Sequence, residues 1–281
     1  MTNKYLISLF ILSGVVYSQN LEGQFEEAAH FNPIGTISKD VVSFAEDFYK
    51  MPGQLSMISS DDWMKVAAFG AVTGLLITQD ISISNGLRNN VDKSANHFLQ
   101  VGEFYGSPRS AALFPIGFYA AGLLINDEDL RTTGRQLFES ILLSGLVVQG
   151  MKIVAGRARP YMNDGADDFD FFKTNNDDNS FPSGHTVVAF TISSVLANRF
   201  KNTYASIGFY SLASLTAYQR IQSGNHWFSD TFVAAAIGIL IGSTITGLNE
   251  SDSEDSSISN NLHVSPYYSG KTMGLSLNLD F

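Results

Sequence analysis

Ser180-Phe-Pro-Ser-Gly-His-Thr-Val-Val-Ala-Phe-Thr-Ile-Ser-Ser-Val-Leu-Ala-Asn198 is the stretch on which the fold turns. Pro182-Ser183-Gly184 makes a turn with Ser183 as a helix N-cap. Behind it runs a charge-free window, 186–198, in which Ala, Ser and Thr sit among the large apolar residues. That mixture suits a helix whose neighbours approach closely. Five further windows of the same kind flank it, at 66–79, 110–126, 140–151, 202–219 and 231–249. The expected fold is therefore all-α, a six-helix bundle over 63–249, followed by a short C-terminal β-strand or hairpin.

Outside the bundle the chain changes character. Lys4 followed by the apolar run Tyr5–Val16, with Val16-Tyr17-Ser18 before Gln19, reads as an export signal over 1–18. Residues 19–62 form a mixed, acidic extension, with one amphipathic helical stretch between Lys39 and Lys50. Residues 250–260 are an acidic, Ser-rich linker. Beyond it Met273, Leu275, Leu277, Leu279 and Phe281 alternate with small or polar residues, the period of a strand, after a turn at Ser269-Gly270.

Composition removes whole classes of function. Of 281 residues 16% are charged and the net charge is −10, so no basic stripe is available for nucleic acid. There is no Cys, which excludes disulfides, thiolate catalysis and Cys-ligated metals. The windows measure 14, 17, 12, 13, 18 and 19 residues in chain order, and four of the six fall short of a hydrocarbon core of about 30 Å. A cleaved signal also conflicts with the Lys/Arg distribution if all six segments span. The expectation is an exported bundle, periplasmic or attached to a bacterial membrane. Peripheral contact through 202–219 and 231–249, and a multi-span protein as the alternative, stay open.

Three clusters carry the chemistry. Lys152 to Arg159-Pro160 closes one apolar segment, Ser183-Gly184-His185 opens the next, and Arg220 to His226 and Asp230 lies between the last two. Each alone has an ordinary reading as a helix cap or a surface pair. Together they place three cations and two imidazoles at helix ends that a bundle can gather. Fixed cations and free helix N–H groups suit a tetrahedral oxyanion such as phosphate. The two His residues then supply a nucleophile and a proton donor, and Asp230 one turn beyond His226 can hold its imidazole. The set reads as phosphoryl transfer through a phosphohistidine, with no metal and no cofactor.

Lys152-x6-Arg159-Pro160, Pro182-Ser183-Gly184-His185 and Arg220-x5-His226-x3-Asp230 resemble the three-part signature of the type 2 phosphatidic acid phosphatase and vanadium haloperoxidase superfamily. One position departs from it, since Gln219 stands where the third motif usually has Ser. The resemblance implies that His226 attacks phosphorus, Asp230 orients it, and His185 serves as general acid and then base. It further implies that Lys152, Arg159, Ser183, Gly184 and Arg220 hold the phosphate oxygens. The expected substrate is a phosphate monoester, soluble or lipid, including lipid diphosphates. A vanadate-dependent haloperoxidase and a non-catalytic phosphate- or lipid-binding module are the competing readings. Head-group contacts are expected from loops 80–108 and 161–180. The six Asp residues of 164–178 fit no calcium-loop spacing and read as a solvated loop or lid, and His30, His97 and His263 have no partner in sequence.

Overall fold

The computed structural model describes residues 35–45, 59–89, 96–173, 175, 177–248, 262–269 and 272–279. Signal, linker and chain end (1–18, 250–260 and 280–281) lie outside them, as does His30. The helices are α1 (35–45), α2 (Ser60–Asn89), α3 (Asn96–Tyr105), α4 (Pro108–Ile125), α5 (Glu128–Ala155), α6 (Gly184–Phe200), α7 (Thr203–Gln222) and α8 (Phe228–Leu248). Strands β1 (Leu262–Ser269) and β2 (Thr272–Leu279) pair antiparallel as a hairpin, with Leu262 opposite Leu279.

The helix boundaries follow from local chemistry. Ser107 caps α4 ahead of Pro108, Asp127 accepts from the Leu130 amide to start α5, and Asn202 accepts from the Ala205 amide to start α7. Glu128 and Asp129 complement the positive end of α5. Gly156, at φ +54°, ends it in the left-handed conformation, with Asp170 so close that a Cβ could not fit.

At the centre lies α6, packed against α5, α7 and α8. Ala189, Ile192, Val195 and Leu196 are buried there with Leu137, Ala213 and Tyr105. Gly238 and Gly242 let α8 approach within van der Waals distance of Val187, Thr191 and Ser194. The polar residues of α6 are also paired: Ser193 binds Tyr105 Oη at 2.9 Å, and Ser194 bonds toward α8.

Two expectations need correction. The segment 80–108 is largely helical, because α2 runs on to Asn89 and α3 adds a helix that no apolar window announced. The helices are also longer than the charge-free windows. α5 has 28 residues, about 42 Å at 1.5 Å per residue, where the window gave 12. The excess turns hold charges in partnered positions: Arg135 lies 3.2 Å from Glu139 one turn on, with both side chains buried or nearly so. A charge inside a helix marks its end only when water must solvate it.

Four helices are consequently long and apolar enough to cross a membrane: Asp62–Arg88, Pro108–Ile125, Glu128–Ala155 and Phe228–Leu248. Their outer faces are apolar. Leu75, Ile116, Leu124, Leu146, Val154 and Leu240 are all more than half exposed, a surface that water penalises and lipid accepts.

Candidate active site

The three clusters meet at one end of the bundle, where α5 finishes and α6 and α8 begin. His185 experiences Arg220, His226, Arg159 and Lys152 as neighbouring charges, so all three segments converge on it. Burial first, and then those cations, push the His185 imidazole down to about 4.

His226 is buried just ahead of α8. Its Nδ1 lies 2.7 Å from the Ser180 carbonyl oxygen and 3.5 Å from Asp230 Oδ2. A carbonyl can only accept, so Nδ1 carries the proton and Nε2 keeps its lone pair. Burial, reinforced by Lys152 and Arg159 against the pull of Asp230, lowers His226 to about 4 and keeps it neutral at pH 7. Asp230 was expected to hold the imidazole directly; the Ser180 carbonyl is the closer partner, with Asp230 behind.

Asp230 is held by groups that the motif reading did not single out. Oδ1 accepts from Arg157 Nη1 at 2.6 Å, and Oδ2 accepts from Ser180 Oγ at 2.5 Å and from the Trp227 amide at 2.8 Å. Arg157 is wholly buried. It also donates to Ser229 Oγ at 2.7 Å, to Asp80 Oδ2 at 2.8 Å and to the Ala166 carbonyl, and lies against the rings of Phe169, Phe181 and Trp227. Asp80, from α2, accepts from the Ser229 amide at 2.9 Å. The frame is therefore Asp80–Arg157–Asp230, one cation between two buried carboxylates. Nothing in the spacing of Asp80 pointed to it, because its partners lie 77 and 149 positions away.

The remaining cations are placed around this frame. Lys152 donates to the Asn179 carbonyl, and the Arg159 Nε is buried without a partner among the described residues. Arg220 is nearly buried, its Nη2 lying 3.2 Å from Glu103 Oε1 while its Nε donates to the Gln219 side chain. The departure at 219 thus supplies a neighbour that holds Arg220. Ser183 caps α6, accepting from Thr186 Oγ1 at 2.9 Å, which leaves its own hydroxyl proton to give. Open space lies beside Gly184.

The acidic segment 161–180 folds back along the first motif instead of standing free. Ala158 donates to the Asp168 carbonyl, Arg159 to that of Asp177, and Ser180 to that of Arg157. Its carboxylates are used locally: Asp177 accepts from Tyr161, and Asp170 pairs with Lys173. Among the described residues no three His, Asp or Glu side chains come together as metal ligands. His97 sits exposed on α3.

A buried, neutral imidazole of fixed tautomer, a second imidazole and three cations thus come together at one end of the helical bundle. Comparison with known sequences bears on the family. Residues 133–250 match the model of the PAP2 superfamily. A 66-residue segment is 39% identical to the lipid A 1-phosphatase of Porphyromonas gingivalis. That match covers 23% of this chain and 15% of the relative, so the chain spans only a small part of that protein's length. Among solved structures, Aquifex aeolicus LpxE aligns with a TM-score of 0.47 and 25% identity over 60% of this chain and 94% of its own. The first transmembrane PAP2 type phosphatidylglycerolphosphate phosphatase from Bacillus subtilis aligns at 0.45 and 16% over 67% and 97%.

Proposed function

We propose that the protein is a lipid phosphatase that hydrolyses phosphate monoesters through a phosphohistidine, with the reaction at a membrane surface. The observation that carries this reading is the tautomer of His226: a proton fixed on Nδ1 leaves Nε2 free to form a bond to phosphorus. The PAP2 match over 133–250 supports the reaction class. The name of the Porphyromonas relative and the four long apolar helices support a lipid substrate.

In the first step Nε2 attacks phosphorus in line, the P–O bond to the leaving alkoxide breaks, and His185 gives that oxygen its proton. Lys152, Arg159 and Arg220, with the Ser183 hydroxyl and the Gly184 amide, hold the three equatorial oxygens and stabilise their charge. In the second step His185 takes a proton from water, whose oxygen attacks phosphorus and breaks the P–N bond. Phosphate leaves carrying the proton that His185 took from water, and both imidazoles are restored. The direct test is release of inorganic phosphate from dodecyl phosphate and from soluble monoesters by the detergent-solubilised full chain. Activity should persist in excess EDTA, because three side-chain cations supply the charge that a divalent ion would bring. Vanadate should compete with substrate as a mimic of the five-coordinate state. Activity lost to EDTA and restored by a divalent ion would sink this reading.

The pH profile follows from the two depressed imidazoles. His226 must be neutral to attack, so kcat/KM should rise through pH 4. His185 is neutral in the free enzyme and needs a proton, which the phosphate monoanion can bring as it binds; the monoester loses that proton near pH 6. The expected profile is a bell between pH 4 and about 6, falling tenfold per unit above it. Stability should follow the same groups. Both folded values lie below the ordinary 6.5, so their contribution is full above 6.5 and is lost as pH falls from 6.5 toward 4. A kcat/KM plateau extending to pH 9 would contradict the assignment of His185 as acid.

The helix lengths support an integral location. We place the chain in the membrane as an integral protein with the Lys152–His226 end at the surface. Carbonate washing of membranes should leave it in the pellet and detergent should release it. Release by carbonate alone would restore the exported-bundle reading.

A further inference from the structure

Arg88 is a cation that the mechanism above does not use. It lies in the last turn of α2, eight residues beyond Asp80, which is about 12 Å along the helix. Asp80 touches Ser229 and Arg157 behind the nucleophile, so α2 carries Arg88 from the floor of the site toward its mouth. There the guanidinium lies over Gly224. A Cβ built on that glycine would stand 3.2 Å from Arg88 Cζ and 3.3 and 3.5 Å from its two terminal nitrogens. The near-equal distances describe a plane lying face-on to the position that Cβ would take.

Gly224 is two residues before His226, and its φ of +72° is one that side-chain-bearing residues rarely adopt. The loop is pinned at both ends, since Gly224 donates to Ile221 and His226 donates to Arg220. Gly224, beside which Arg88 lies, is thereby within roughly 7 Å of backbone reach from the nucleophile's own residue. Its side chain is exposed and forms no hydrogen bond or ion pair among the described residues. The apolar span of α2 ends at Arg88 itself, which sets the guanidinium at the height of lipid head groups.

Resting on the phosphatase reading, we infer that Arg88 is a specificity-determining residue that binds a second phosphate on the leaving-group side of the substrate. A guanidinium presenting a planar fork with unfilled N–H donors matches the bidentate geometry of a phosphate. Lys152, Arg159 and Arg220 hold the phosphate that reacts; Arg88, outside that set, is placed to hold the one that does not. The second phosphate can be linked directly to the first, as in a diphosphate ester, or carried on a separate carbon. The two sources share this chemistry and differ only in reach.

Binding measured without turnover tests the inference apart from the catalytic reading. Calorimetry on the detergent-solubilised full chain would compare inorganic phosphate, methylenebisphosphonate and 1,6-hexanediol bisphosphate. The wild type should bind at least one two-phosphate probe about tenfold more tightly than phosphate, the tighter probe identifying the linkage. Arg88→Gln should remove that advantage while leaving phosphate affinity within twofold, and Arg88→Lys should restore only part of it. In turnover, Arg88→Gln should raise KM for dodecyl diphosphate or the separated bisphosphate with kcat unchanged, and leave dodecyl phosphate unaffected. Equal loss for phosphate and two-phosphate probes would overturn the inference, as would a wild type with no preference. An unchanged preference in Arg88→Gln would overturn it too, and would leave the site for general membrane contact. Absence of turnover with intact binding selectivity would count against the phosphatase reading alone.

Discussion

Replacing His226 by Ala should lower phosphate release by about 10⁴-fold or more, the scale at which removal of a covalent nucleophile is felt. The imidazole makes one close hydrogen bond, to the Ser180 carbonyl, so truncation leaves a single acceptor unfilled and costs about 1–3 kcal/mol. Helical content and elution in detergent should therefore match the wild type. Asp230 keeps its three other partners in the variant, Arg157, Ser180 and the Trp227 amide. Acid-labile phosphate trapped on the wild-type chain by rapid quench should be absent from His226→Ala. Turnover within tenfold of wild type would refute the phosphohistidine.

The largest effect on stability should come from Arg157→Met. This guanidinium is the shared partner of two fully buried carboxylates, Asp80 at 2.8 Å and Asp230 at 2.6 Å. Methionine preserves much of the volume packed between Phe169, Phe181 and Trp227 but leaves both acids without their cation. Breaking a buried pair in this way typically costs about 3–5 kcal/mol. We expect a clear fall in unfolding temperature in detergent, with activity lost because Asp230 and His226 lose their frame. Adding Asp80→Asn to Arg157→Met should recover part of the stability, since one uncompensated charge is then removed. A single Arg157→Met variant as stable as the wild type would show that the acids are neutral or that water reaches them.

Much of this protein was readable as sequence. The bundle was legible because six windows lack charge and mix small with large apolar residues, a pattern set by local composition. The motif residues were legible because each lies at a helix terminus, where capping chemistry leaves a local signature: Ser183 before α6, Lys152 in the last turn of α5, Asp230 in the first turn of α8. The strand alternation near the C-terminus was visible for the same reason and reappears as β2.

Tertiary structure decided what depends on partners far along the chain. Asp80 looks like any acid in a long helix until Arg157 and Ser229 are brought to it. Arg157 reads as a helix-end cation until it is found buried between two carboxylates. The extent of α5 was hidden for a related reason: a sequence window treats Arg135 and Glu139 as solvent-seeking, whereas the fold pairs them one turn apart. That length separates a compact exported bundle from helices able to cross a bilayer. Charge and hydropathy are properties of single residues, so the sequence displays them. The cost of burying a charge belongs to a pair, and only the folded chain says which pairs exist.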